Sequence, residues 1–78
     1  DINKENRYGE TPLFNACWNG NINLVKYLIS LGANINKENR YDETPLFNAC
    51  WNGNINLVKY LISLGANINK ENRYGETP

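Results

Sequence analysis

The sequence predicts an all-helical solenoid, in which antiparallel helix pairs stack on one another and projecting β-hairpin or turn loops join successive pairs. Two observations support this prediction. Residues 1–8 recur at 34–41 and again at 67–74, so the period is 33 residues. Each period also contains two short segments with helical spacing of apolar residues. Periods of this length are typical of repeat architectures, in which each unit buries its apolar face against the next one.

The repeat divides the chain into a first unit at residues 1–33, a second unit at 34–66 and a partial third unit at 67–78 that holds only the loop. The first two units differ only where Asp1 aligns with Asn34 and Gly9 aligns with Asp42. The sequence contains no Met. We therefore expect a fragment of a longer array or an engineered repeat scaffold.

The first predicted helix begins at Thr11-Pro12, because Thr can accept from free backbone N–H groups and Pro suits the first helical turn. Small and apolar side chains then share one face at i, i+3 and i+4 spacing: Leu13, Ala16 and Cys17. Gly20 is expected to end this helix after about two turns.

The second predicted helix begins after Asn21, which can cap it, and ends at Gly32. The polar residues of this helix form one narrow stripe, which consists of Asn23, Lys26 and Ser30. The remaining positions are apolar. We therefore expect the helix to be covered on its other sides. Helices this short need neighbouring units for stability. Because the first helix carries the smaller side chains, we expect the array to curve with the first helices inside.

Composition argues against several classes of function. Eight basic and eight acidic residues give zero net charge and alternate in sign, so we expect no binding to nucleic acid or membrane. The chain lacks His, and each unit has one Cys, so we expect no catalytic residues, no metal and no cofactor. Equivalent cysteines one unit apart, Cys17 and Cys50, lie too far from each other for a disulfide. Two buried thiols are typical of a reducing, cytoplasmic protein.

The units resemble the ankyrin repeat over the whole chain. The family's pattern has a turn glycine, Thr-Pro-Leu-His, a small-residue pair, a glycine between the helices and Gly-Ala-Asp-x-Asn at the end. In the first unit these elements are Gly9, Thr11-Pro12-Leu13-Phe14, Ala16-Cys17, Gly20 and Gly32-Ala33-Asn34-Ile35-Asn36. The second unit repeats them at Thr44-Pro45-Leu46-Phe47, Ala49-Cys50, Gly53 and Gly65-Ala66-Asn67.

The units depart from the family's pattern at two positions. Phe14 and Phe47 replace the usual His, which removes a polar side chain that would tie the helix start to the preceding loop. We expect both rings to be buried instead. Asp42 replaces the turn glycine, and Asp tolerates positive φ at some cost in strain.

The resemblance implies protein binding through a concave surface formed by the loop tips and the exposed side of each first helix. Carried over by position, the tip residues are Arg7, Tyr8, Glu10, Arg40, Tyr41, Glu43, Arg73, Tyr74 and Glu76. The residues on the first helices are Trp18, Asn19, Trp51 and Asn52. Tyr, Trp and Arg are also the residue types that dominate interface hot spots.

Each candidate also has a structural interpretation. Trp18 and Trp51 could pack on each other, and the three tip tyrosines could cover neighbouring loops. Arg7 is expected to form a weak, solvated ion pair with Glu5 or Glu10. Tyr27 and its equivalent Tyr60 are expected in the core or half-covered.

Two further hypotheses stand beside protein binding. Near-identical units could stack head to tail with other copies of the chain, as a structural self-assembling array. Alternatively, the chain could be a scaffold with no specific ligand. The identity of a partner cannot be deduced from the sequence.

Overall fold

The computed structural model describes residues 1–78 and contains four α-helices. They are α1 (Pro12–Trp18), α2 (Ile22–Ser30), α3 (Pro45–Asn52) and α4 (Ile55–Ser63). No residue lies in a β-strand. The segments that join the helix pairs are therefore turn loops, and the hairpin alternative is not observed. The all-helical repeat fold expected from the sequence is confirmed.

The helix starts follow the sequence signals with one exception. Asn21 caps α2 as predicted, because its Oδ1 accepts from the backbone N–H of Leu24 at 3.1 Å. Asn54 caps α4 in the same way, accepting from Leu57 at 3.2 Å. The capping predicted for Thr11, and for Thr44 by equivalence, is wrong. Neither hydroxyl receives a hydrogen bond from its helix, and both are buried without any partner.

The core forms where α1 packs between α2 and α3. α1 and α3 contact each other extensively, whereas α2 and α4 make few direct contacts. Because the first helices approach each other more closely than the second helices do, this packing favours the predicted curvature. The central core side chains come from all four helices: Leu13, Val25, Leu46, Leu57 and Leu61.

Burial differs between the two units because α3 covers one face of α1, whereas none of the four helices covers the equivalent face of α3. Phe14 and Cys17 are fully buried, as predicted, but their equivalents Phe47 and Cys50 are only half-buried. Two expectations for the second helix are also wrong: that it is covered everywhere outside its polar stripe, and that Tyr27 lies in the core or is half-covered. Val25 and Leu28 of α2 are buried against α1, whereas Tyr27 is 61% exposed. Tyr60 is half-covered, as predicted.

Candidate protein-binding surface

Each loop is organised by one asparagine. The side chain of Asn39, which is only 6% exposed, accepts from the backbone N–H groups of Tyr41 at 2.9 Å and Glu43 at 3.0 Å. Asn72 makes the same two contacts in the third loop, with Tyr74 and Glu76. These bonds satisfy backbone donors within each loop, so the loop tips have a defined shape.

The tips of successive loops are joined in register. The backbone N–H of Arg40 donates to the carbonyl oxygen of Tyr8 at 2.9 Å, and Arg73 donates to Tyr41 at 3.0 Å. All three tip tyrosines, Tyr8, Tyr41 and Tyr74, are exposed. The structure therefore brings the predicted tip residues into one row along the array.

The predicted ion pair of Arg7 is wrong. Its guanidinium carbon lies 5.5 Å from the ring centroid of Tyr8, within cation–π range. Glu5 pairs instead with Lys37 of the second unit, with Nζ and Oε2 3.2 Å apart. The corresponding bond in the next unit joins Lys70 and Glu38 at 3.6 Å. The ion pairs thus connect units rather than residues within one loop.

The structure shows the packing interpretation of Trp18 and Trp51, and their role in binding stays a prediction. Their ring centroids are 5.9 Å apart and the ring planes differ by 9°, so the indoles stack across the joint between units. They nevertheless remain 50% and 75% exposed. Exposed tryptophans held by stacking lose little conformational entropy on contact with a partner, which suits an interface.

The two helix-end asparagines differ in environment. Asn52 donates from its side-chain amide to the carbonyl oxygen of Trp18 at 3.0 Å, so its amide joins the units. Asn19, its equivalent in the first unit, makes no such bond, although both residues are exposed. Of this pair, Asn19 keeps its amide available for contact on the first-helix surface.

A groove of about 450 Å³ lies beside the tryptophan pair. Its aromatic lining comprises Trp18, Phe47 and Trp51, and two carboxylates, Glu43 and Glu76, also line it. Glu10, the third predicted acidic residue, is bound at its carboxylate by the amide of Asn39 at 3.1 Å. The structure therefore groups the predicted tryptophans with two of the three predicted glutamates.

The sequence analysis missed a set of asparagines that join the units. Asn48 donates to the carbonyl oxygen of Phe14 at 2.9 Å, and Asn54 donates to that of Gly20 at 3.0 Å. Together with Asn52, these amides follow one edge of the second unit and face carbonyl groups of the first. The abundance of asparagine was the available signal, although it does not indicate which residues pair.

Both cysteines are free. Burial raises the pKa of the Cys17 thiol from the ordinary value of 9.0 to about 12. Partial burial also raises the pKa of Cys50. Both side chains therefore favour the protonated thiol, which behaves as a small apolar group. None of the four helices has the length and apolar character needed to cross a lipid bilayer.

Comparison with known proteins agrees with the geometry. A family model described as ankyrin repeats (three copies) matches residues 1–72. A search of curated proteins found no match. The matched region covers nearly the entire chain, including both helix pairs and the first half of the third loop. The chain therefore belongs to the ankyrin repeat family.

Proposed function

We propose that the chain is a non-catalytic protein-binding module whose units span residues 1–33 and 34–66, with a partial unit at 67–78. Ankyrin repeats are generally protein–protein interaction modules. The observation that carries the proposal is the stacked, exposed pair Trp18 and Trp51 beside the row of tip tyrosines. Free cysteines support a function in a reducing compartment such as the cytoplasm.

The binding surface in this proposal consists of exposed or partly exposed side chains on loops and first helices. Buried aromatic and Arg anchors carry most of the energy of protein interfaces. The tip residues proposed are Arg7, Tyr8, Glu10, Arg40, Tyr41, Glu43, Arg73, Tyr74 and Glu76. The first-helix residues proposed are Trp18, Asn19, Trp51 and Asn52.

A selection experiment tests this proposal. Ligands are selected on the immobilised chain from a displayed library of random peptides, and their affinities for variants are then measured. Trp18→Ala and Trp51→Ala should each weaken the selected ligands about tenfold or more, as expected for interface anchors. Tyr27→Ala, which removes an exposed aromatic ring from a second helix, is the matched control. Ligands that respond to Tyr27→Ala but not to the tryptophan variants would contradict the proposal.

A second candidate function is stacking with further copies, and the asparagine bonds between units support it. Asn48, Asn52 and Asn54 each donate to a carbonyl one unit earlier. Asn15 and Asn19 occupy the positions of Asn48 and Asn52 in the first unit. The second unit of another copy carries the equivalent carbonyl groups and could accept from them in the same register.

Sedimentation velocity over a series of protein concentrations tests stacking. The chain should associate as concentration rises, and the double variant Asn15→Ala/Asn19→Ala should associate less strongly. Asn23→Ala, an exposed change on the second helix, serves as the control. A constant sedimentation coefficient at all concentrations would rule out stacking between separate chains.

A further inference from the structure

The groove beside the tryptophan pair holds two carboxylates close together. The side-chain nitrogen of Asn72 donates to Oε2 of Glu43 at 2.8 Å and to Oε1 of Glu76 at 2.9 Å. One neutral amide therefore holds two negative charges as neighbours. Asn72 itself is buried and fixed by its bonds to the loop backbone, so the amide that both carboxylates contact has a defined position.

Neither carboxylate of this pair forms an ion pair within the chain. The two ion pairs of the chain involve Glu5 and Glu38. The residues that line the groove include no Lys and no Arg. Like charges at short range disfavour each other unless a cation is added, so the groove has an electrostatic preference for positively charged groups.

The aromatic wall of the groove favours the same kind of group. An indole face attracts an ammonium or guanidinium cation within about 6 Å of the ring centroid, and Trp is the strongest of the aromatic residues in this respect. The chain already makes such contacts elsewhere. Lys26 Nζ lies 5.2 Å from the ring centroid of Tyr60, and the guanidinium of Arg73 lies 5.4 Å from that of Tyr41.

We propose that this groove recognises a basic segment of the partner protein, with an Arg or Lys side chain placed between the exposed indole of Trp51 and the carboxylates of Glu43 and Glu76. The inference deepens the proposed function and depends on it. Acidic peptides and the phosphates of nucleic acids are disfavoured by the same two carboxylates. Because each unit supplies a Trp and a Glu at the same positions, basic side chains at regular spacing suit the surface best.

Intrinsic fluorescence gives a direct assay, because Trp18 and Trp51 are the two tryptophans in the chain and both line the groove. The chain is titrated with a blocked nine-residue peptide that has Arg at alternate positions and Ala between them. Peptides with Gln or Glu in place of Arg serve as comparisons. The Arg peptide should produce a saturable change in emission at concentrations at least about tenfold lower than the Gln peptide, and the Glu peptide should produce none.

Matched variants separate local recognition from overall charge. Glu43→Gln/Glu76→Gln should weaken the Arg peptide about tenfold or more, while Gln can still accept from Asn72. Glu5→Gln/Glu38→Gln changes the net charge by the same amount away from the groove, and it should alter the affinity less than about threefold. Thermal melts of both double variants test whether they remain folded.

The inference is overturned if the Arg and Gln peptides bind equally, or if the two double variants lose equal affinity for the Arg peptide. It is also overturned if a single-stranded oligonucleotide binds more tightly than the Arg peptide. Library ligands that depend on the tryptophans but lack basic residues would also reject it, while leaving the proposed function intact. If neither library ligands nor the Arg peptide depend on the tryptophans, both proposals fail.

Discussion

The side chain of Asn52 lies directly on Gly20, which belongs to the preceding unit. Its amide donates to the carbonyl oxygen of Trp18 at 3.0 Å. A Cβ atom added at Gly20 would come within 2.9 Å of Asn52 Cγ. Gly20 also has a φ of +68°, in the left-handed region. Two independent features therefore favour glycine here: the left-handed backbone conformation, and the Asn52 amide, which a Cβ atom would displace.

Replacing Gly20 by Ala should destabilise the chain more than replacing Gly53 by Ala. Gly53 has a similar φ of +85°, but a Cβ there would meet nothing within 4 Å. Gly53→Ala should lower the free energy of unfolding by about 1 kcal/mol through backbone strain. Gly20→Ala should lose about 0.5–1 kcal/mol more, because Asn52 is displaced from its exposed hydrogen bond to the Trp18 carbonyl. Urea denaturation measures both, and equal losses would show that the contact between units contributes nothing.

The sequence predicted the fold well because the relevant signals are local. The 33-residue recurrence, the Pro at each first helix and the Asn before each second helix determine where the helices lie. The contacts between units were not predicted. Asn48 and Asn52 bind backbone carbonyls, and no side-chain pattern indicates which carbonyl will face which amide. The contact of the Asn72 amide with both Glu43 and Glu76 was not predicted either, because it depends on the distance between the second and third loops.

Asn39→Ala should be more destabilising than Asn6→Ala. Asn39 is buried, accepts from two backbone N–H groups and donates to Glu10. Its removal leaves these donors without a partner, which should lower the free energy of unfolding by about 2–3 kcal/mol. Asn6 accepts from the equivalent groups of Tyr8 and Glu10, but it is exposed, so water can replace it. Thermal unfolding followed by circular dichroism provides the comparison. Equal losses would mean that burial and the bond to Glu10 contribute little.

Asp42→Gly should stabilise the second loop. Asp42 is the one residue other than glycine with positive φ, at 62°, and Gly9 and Gly75 occupy the equivalent positions at 75° and 78°. Relief of left-handed strain should raise the free energy of unfolding by about 0.5–1 kcal/mol, partly offset by the greater entropy of glycine in the unfolded chain.

The reciprocal change, Gly75→Asp, tests the same cause at the third loop. It should lower stability by a similar amount, since a Cβ at Gly75 would meet only the side chain of Glu71, at 3.8 Å. Chemical denaturation of both variants gives the two differences. Stabilisation by both changes, or by neither, would show that strain at this φ is not the dominant effect.

Thr44→Val should leave the stability unchanged or raise it slightly. The hydroxyl of Thr44 is buried without a hydrogen-bond partner, and Phe47 offers no polar group where the family usually has His. Burying an unpaired hydroxyl costs about 1–3 kcal/mol on the scale of protein mutations, and Val has nearly the same shape. Thr77→Val, at an exposed position, is the control and should have little effect. A loss above about 1 kcal/mol for Thr44→Val alone would indicate that the hydroxyl has a partner in solution.

The stability of the chain should fall as the pH rises from 9 to 12, with Cys17 as one cause. Burial raises the pKa of Cys17 to about 12 in the folded chain, against an ordinary value of 9.0. Above pH 9 the unfolded chain therefore binds fewer protons at this thiol than the folded chain, so rising pH favours unfolding. The stabilising contribution of the buried, protonated Cys17 thiol is fully present below pH 9. It is lost progressively as the pH rises towards 12.

Cys17→Ala should reduce the slope of unfolding free energy against pH in this window, because alanine does not titrate. All other ionisable groups are common to both proteins, so the difference between the two slopes isolates the thiol. Cys50→Ala should change the slope less, since Cys50 is only half-buried. Denaturant titrations at pH 8, 9, 10 and 11 measure the effect. Parallel curves for the wild-type chain and Cys17→Ala would show that the Cys17 thiol ionises as readily in the folded chain as in the unfolded one.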